Sequence, residues 1–231
     1  MNKKPRNSPD PKNAEEQACY SQGYRLLAGI DEVGRGCLAG PVVASAVIMP
    51  RGQRLPWYKR VRDSKLLSPE QREELSPYIH NAAVSVGTGV VDSYLIDQLG
   101  MTAAVHLAMR LAVTRLHPQP DFLLIDYLTV PALKIPQKGV KDGDTLCFSI
   151  ACASIVAKVY RDRLMIELDR RYPGYCLARH KGYGTAEHVV CLRKLGPSPI
   201  HRRLFQPVRN AAQLSFGDWV KSTLRVQMDG T

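Results

Sequence analysis

The chain has six cysteines (Cys19, Cys37, Cys147, Cys152, Cys176 and Cys191), but no CxxC pair among them and no even spacing. That argues against a zinc cage and gives no disulfide framework, so the thiols read as those of a reducing compartment. Long apolar runs are missing too. The longest, Cys37–Met49, is interrupted by Gly40 and Pro41 and is too short to cross a bilayer. The opening residues, MNKKPRNSPDPKN, hold no apolar stretch of the kind a signal peptide needs. There is no internal repeat, and no low-complexity segment beyond residues 1–20. A soluble, cytoplasmic globular protein is expected. The 45% share of hydrophobic residues in 231 is enough for the core of one domain, with room for an appendage.

Acids are the scarcer charge: 21 Asp and Glu against 32 Lys and Arg, a formal net charge of +11. The excess is not spread evenly. Arg51, Arg54, Lys59, Arg60, Arg62 and Lys65 face Asp63 alone in sequence, and the stretch Arg179–Arg209 has only Glu187 among its bases. Two local clusters point to a folded surface that meets a polyanion, although a basic face also serves solubility. A recognition or catalytic element between them decides which.

Residues 1–20, rich in Pro, Asn and charge, read as a disordered leader, 21–212 as the folded domain and 213–231 as a variable tail whose Phe216, Trp219 and Val220 could form a short packing helix. Leu26–Asp31 and Pro41–Met49 read as neighbouring strands joined by a glycine-rich turn. Ser68, as a cap before Pro69, Glu70 and Gln71, starts a helix. Val84–Val91 reads as a strand, Asp92–Leu99 as a short helix and Thr102–Leu116 as a longer one stopped by Pro118. Asp121–Asp126 (DFLLID) has the wholly apolar character of a strand buried on both faces. Ser149–Arg171 and Thr185–Leu195 are helical, and Ala151, Cys152, Ala153 and Ser154 let the first approach a sheet closely. The order predicts an α/β domain with a mixed central sheet flanked by helices and a helical C-terminal extension.

In so basic a chain the informative residues are acids at buried positions. Asp31 and Glu32 end the first strand, Asp126 ends FLLI, and Asp144 precedes the long helix. Any one alone would be a cap or a loop salt bridge, since turns prefer Asp. Strand ends in an α/β sheet gather at one edge, however, and four like charges there would repel unless a divalent cation joined them. An all-oxygen donor set selects Mg²⁺ or Mn²⁺ over zinc, and such a cluster beside basic surface suits phosphodiester hydrolysis by two metals.

The chain is identified as resembling bacterial ribonuclease HII. The likeness rests on Asp31-Glu32-Val33-Gly34-Arg35-Gly36, Leu38–Val43, Asp63–Ser68, Leu124-Ile125-Asp126, Gly143-Asp144, Ser149–Asp162, His180–Thr185 and His201-Arg202-Arg203, in order over residues 24–209. It implies a ribonuclease H-like fold and an endonuclease that hydrolyses the RNA strand of RNA–DNA hybrids. It also implies cutting 5′ of ribonucleotides embedded in duplex DNA, leaving 3′-hydroxyl and 5′-phosphate ends. Asp31, Glu32, Asp126 and Asp144 would hold the metals. Gly34, Arg35 and Gly36 would sense the ribose 2′-hydroxyl through main-chain groups, Tyr183 would stack on the deoxyribose 3′ of the ribonucleotide, and Lys65, Lys181 and Arg203 would meet phosphates. Expected partners are the hybrid and the ribonucleotide-bearing duplex, with a replication-associated protein as a further candidate and no membrane. A monomer suffices. The other readings are a DNA nuclease of related fold and a nucleic-acid-binding protein without catalysis.

Several positions depart from the family pattern. Tyr127 follows Asp126 where Gly is usual, Asp142 replaces a usual Lys before Gly143, Cys37 stands for Pro and Leu204 for Ser. Asp142 thereby becomes a rival of Asp144, which has the better spacing to Ser149-Ile150. His180, His188 and His201 lack the spacing of a metal box, so a structural or phosphate-contacting role is expected for them.

Overall fold

The computed structural model describes residues 13–52, 55–61, 64–131 and 133–213. They form helices α1 (Ala14–Ser21), α2 (Pro69–Ala82), α3 (Ser93–Leu99), α4 (Met101–Thr114), α5 (Gly143–Leu146), α6 (Phe148–Arg171), α7 (Leu177–His180) and α8 (Ala186–Leu195). The strands are β1 (Leu27–Val33), β2 (Val42–Ile48), β3 (Ser85–Val91), β4 (Phe122–Asp126) and β5 (Gln137–Val140). A further helical stretch runs over 206–213. The expected tail helix around Phe216 and Trp219 lies outside the described residues. Among those described, no helix is long and apolar enough to cross a membrane.

Where one continuous domain over 21–212 is expected, the chain forms two compact units. One takes residues from 13–33, 43–90 and 105–160, the other from 34–42, 91–104 and 161–213. The first holds a five-stranded sheet in the order β3-β2-β1-β4-β5. β1 runs antiparallel to β2 and parallel to β4, and β4 parallel to β5, so the sheet is mixed as predicted. Every residue of β2 is buried, which is why VVASAVI reads as a continuous apolar run. α6 reaches the sheet closely because small residues meet there: Ala151, Cys152 and Ala153 are fully buried. A Cβ on Gly29 of β1 would stand 2.1 Å from the Ser149 carbonyl carbon, so that position admits glycine alone.

α2 starts with the expected cap. The Gln71 amide N–H donates to Ser68 Oγ at 3.3 Å, and the Ser68 N–H donates to Gln71 Oε1 at 2.8 Å. β5 is absent from the sequence reading because Gln137-Lys138-Gly139-Val140 is a short, partly exposed edge strand with no β-branched run.

The disordered leader expected over 1–20 is corrected from residue 14 onward, where α1 begins. Three anchors hold it. Cys19 packs with Leu27, Leu124, Val140, Cys147 and Ile150. The Tyr58 hydroxyl donates to Asn13 Oδ1 at 2.9 Å. Glu16 is buried, and its Oε1 accepts the Ser149 N–H at 3.1 Å and the Ser149 hydroxyl at 2.9 Å. A carboxylate from a distant helix thus satisfies a free donor in the first turn of α6, where the positive end of the helix dipole lies. Burial raises the Glu16 carboxyl above its ordinary range. Glu16→Leu, which leaves those donors without an acceptor, should lose about 1–3 kcal/mol in urea unfolding, whereas Glu16→Gln, which keeps an acceptor oxygen, should lose less than half as much. Equal losses would show that packing, and not the hydrogen bonds, fixes α1.

Candidate active site

In the first unit the parallel pairing of β1 with β4 stops at Ile30 and Ile125, although β1 runs on to Val33 beside β2, past the Asp31 and Glu32 expected to end it. The residues after that last pair are Asp31 and Asp126, so strand polarity brings these carboxylates together. Asp31 is buried; its Oδ1 accepts the Glu32 N–H at 2.7 Å and its carboxylate takes a hydrogen bond from Ser154 of α6. Ser154 Oγ lies 2.8 Å from Ser64 Oγ, so a serine pair orients Asp31 from behind. Asp126 Oδ1 accepts the Gly143 N–H at 2.7 Å. Gly143 is required for this approach, since a Cβ there would stand 2.7 Å from Ile150 Cδ1 and 3.2 Å from the same Asp126 oxygen. Asp144 follows in the first turn of α5, buried, with Lys65 Nζ 3.1 Å from its Oδ2.

The carboxylates feel one another. Burial holds the Asp31 carboxyl well above its ordinary value, and Glu32, Asp126 and Asp144 push it further while Ser154 opposes them. Asp126 is raised by burial first and then by Asp144, with the Gly143 N–H pulling the other way. Among the described residues no three His, Cys, Asp or Glu side chains close into a ready-made metal cage. The arrangement is an open anionic edge whose members repel. Oxygen donors alone, crowded and partly buried, fit a hard divalent cation and do not fit zinc.

Of the two rivals for the fourth carboxylate, Asp142 is exposed, in a left-handed conformation (φ 55°), and its carbonyl starts α5. Asp144 is the buried one that acts on Asp31 and Asp126. Tyr127 has φ 61°, a region that favours glycine, and is 72% exposed. That explains the Gly common there and shows that the phenol extends outward.

The second unit assembles the remaining predicted residues. Cys37 bridges to Tyr183 and Ala39 to His201, both antiparallel, so the segment 34–42 is flanked by two later ones. Arg35 and Gly36 are exposed, and a Cβ on Gly36 would meet nothing, which leaves the main chain of the turn open to a ligand. Tyr183 is 39% exposed, with the Arg161 guanidinium 5.9 Å from its ring centre. Lys181 Nζ turns back to the Ala178 carbonyl, and the Arg203 N–H donates to Asp97 Oδ2 at 2.8 Å.

Two arginines that the sequence reading passed over hold this turn. Arg161, fully buried, donates to the carbonyls of Pro41 at 2.9 Å, Lys181 at 2.8 Å and Ala39 at 3.2 Å. Its Nε would lie 2.2 Å from a Cβ on Gly34 (φ 91°), so the first glycine of the turn is fixed by both space and conformation. Arg202, also fully buried, donates to Gly40 O at 3.0 Å and Arg35 O at 2.9 Å. Burial lowers its pKa to about 10, which leaves it charged at neutral pH. One signal was available for Arg161: with Ile150, Ser154, Ala157 and Met165 it completes a helical stripe that is otherwise buried.

Set against known proteins, the fold defines the class first. The chain is similar to the solved ribonuclease H2 from Pyrococcus horikoshii OT3, with a TM-score of 0.68 and 23% identity over 81% of this chain and 97% of that one. It is also similar to Bst-RNase HIII in complex with Mn²⁺, with a TM-score of 0.65 and 19% identity over 85% of this chain and 72% of that one. These likenesses make the fold ribonuclease H-like. The family described as Ribonuclease HII matches residues 28–208. A curated Ribonuclease HII from Dehalococcoides mccartyi is 60% identical over 199 residues, 86% of this chain and 94% of the relative. The chain belongs to the ribonuclease HII family.

Removing one charge tests the anionic edge. Asp126→Asn keeps an oxygen for the Gly143 N–H and relieves repulsion, so its thermal midpoint without divalent ions should exceed that of the unsubstituted protein. Mg²⁺ or Mn²⁺ should raise the unsubstituted midpoint and move the variant less. Equal metal-induced shifts would remove Asp126 from the ligand set.

Proposed function

We propose that the protein is a divalent-metal-dependent endoribonuclease that hydrolyses the RNA strand of RNA–DNA hybrids and cuts 5′ of ribonucleotides embedded in duplex DNA. Membership of the ribonuclease HII family gives the nuclease class. One observation supports the chemistry: Glu32, Asp126 and Asp144 all act electrostatically on the buried Asp31 at one sheet edge. These four residues would hold the Mg²⁺ or Mn²⁺. The ions, when bound, supply an attacking hydroxide at neutral pH and stabilise the leaving 3′ oxygen, which leaves 3′-hydroxyl and 5′-phosphate ends.

The protein's own groups divide the remaining work. The Gly143 N–H and the Ser154 hydroxyl fix one oxygen each on Asp126 and Asp31, so the carboxylates meet an ion already oriented. Lys65 offsets part of the anionic charge at Asp144. Gly34, Arg35 and Gly36 follow Glu32 in the chain after one residue, and their open main chain suits recognition of a 2′-hydroxyl, the group that separates RNA from DNA. Tyr183 offers an exposed ring face for the deoxyribose on the 3′ side. Lys181 and the basic surface around it would meet phosphates.

A labelled duplex carrying one ribonucleotide, incubated with Mg²⁺, Mn²⁺ or EDTA, should be cut 5′ of that ribonucleotide only with metal, and Asp126→Asn should reduce the rate at least about a thousandfold. Equal cutting of an all-DNA duplex would make the protein a DNA nuclease of related fold, and binding without product would make it a non-catalytic binder. Tyr183→Ala should slow cleavage at the single ribonucleotide about tenfold more than on a continuous hybrid, the size of one lost stacking contact. Equal losses would exclude junction stacking.

A further inference from the structure

Three histidines sit buried together in the second unit, outside the proposed chemistry: His180, His188 and His201. The rings of His180 and His188 stack 4.2 Å apart, and those of His188 and His201 lie 5.3 Å apart. The hydrogen bonds fix a proton on each. His188 Nδ1 lies 2.9 Å from the Tyr183 carbonyl, an acceptor, so this nitrogen donates. Its Nε2 is then bare and accepts from His201 Nε2–H at 3.1 Å. His201 Nδ1 in turn accepts the Ser198 N–H at 3.0 Å and faces the Ser198 hydroxyl at 2.8 Å. The chain of donation runs in one direction, from Ser198 through His201 and His188 to the Tyr183 carbonyl. A second proton on the pair would set donor against donor.

The surroundings keep both rings neutral. Burial lowers the His201 pKa to about 4 and also lowers that of His188, and each histidine's neighbours in the cluster add to the effect. His180 Nε2 meets the Tyr175 carbonyl at 2.8 Å, and the Tyr175 ring centre lies 4.7 Å from that of His201. From the elements around the pair, Lys181 binds the Ala178 carbonyl, Arg202 the carbonyls of Gly40 and Arg35, and Glu187 on α8 pairs with Arg179.

What this link holds is the main chain of Tyr183. Its carbonyl takes His188 Nδ1–H and the Thr185 N–H at 2.8 Å, while its own N–H donates to His180 O at 3.0 Å. Thr185 also caps α8 by accepting the His188 N–H at 3.2 Å. His188 is therefore tied to the loop twice, through its ring and through its backbone.

We propose that His188 and His201 are positioning residues for Tyr183: an uncharged imidazole pair that sets the loop backbone and so the placement of the ring against the sugar 3′ of the ribonucleotide. The proposal rests on the reading of Tyr183 given above, and its test separates the two. The quantity measured is the ratio of cleavage at a single ribonucleotide to cleavage of a continuous hybrid; this ratio cancels effects on metal binding and on the fraction folded. His188→Leu should lower it about fivefold, and in a Tyr183→Ala background should change it less than about twofold, the signature of one residue acting through another. His188→Asn, whose amide can replace the Nδ1 donor, should restore most of the ratio.

If Tyr183→Ala lowers the ratio and folded His188→Leu does not, or if the two losses multiply in the double variant, the proposal is wrong while the reading of Tyr183 stands. If Tyr183→Ala itself leaves the ratio unchanged, both fall. Should His188→Leu fail to unfold cooperatively, His201→Leu, which removes the donor to His188 Nε2, is read by the same ratio, and no change there overturns the proposal.

Discussion

Repulsion among carboxylates at one edge of the sheet is the constraint around which the first unit is built. Strand polarity forces the meeting, because the parallel pairing of β1 with β4 stops at Ile30 and Ile125 and the next residue on each strand is Asp, although β1 itself runs on to Val33 beside β2. Left to themselves, such charges would swing apart or bind protons. The surrounding structure prevents the first by committing a group to each of the three aspartates: the Gly143 N–H to Asp126, Ser154 to Asp31 and Lys65 to Asp144. Much of the close packing around the edge serves those commitments. Gly29 lets α6 lie near enough for Ser154 to reach, and Gly143 lets its own amide reach Asp126. Holding mutually hostile groups in place costs stability, a cost that the proposed cation would offset.

The second unit solves a related problem with charge of the other sign. Arg161 and Arg202 are wholly buried, and five main-chain carbonyls receive their hydrogen bonds. Carbonyl dipoles can accept from a fork of donors where a carboxylate would restrict the backbone less. Each guanidinium therefore fixes loop shape directly. The segment after Gly34 has no strand or helix of its own up to Pro41, yet it is pinned at Arg35, Ala39, Gly40 and Pro41. The turn stays open at Gly36 while its flanks are so held.

The strands and the long helices were legible in the sequence, since their apolar periods are strong, and Asp31 and Asp126 stood out because charge at the end of LAGID or FLLID is anomalous. Short polar elements stayed hidden. β5 and α5 carry too few apolar residues for a period, yet they deliver Gly143 and Asp144. The supporting residues were harder still. Ser154 reads as a small residue for helix packing, and Arg161 as one more base in a basic chain; only the register of α6 turns the first toward Asp31 and buries the second. Tyr127 was visible as an oddity, but its positive φ, which gives the oddity a reason, was not. Residues 14–20 read as leader because composition governs disorder only where no partner surface awaits. A few anchors, Cys19, Glu16 and Asn13, outweigh a polar composition.

That last feature bears on where this protein can be shortened. The span matched by the family begins at residue 28, downstream of α1. A fragment cut to that boundary would look complete by homology while stripping Glu16 from the opening turn of α6, the helix that carries Ser154 to the carboxylate edge. Trimming a seemingly dispensable front end would thus be felt about one and a half helical turns further along, beside the acids, with none of those acids deleted.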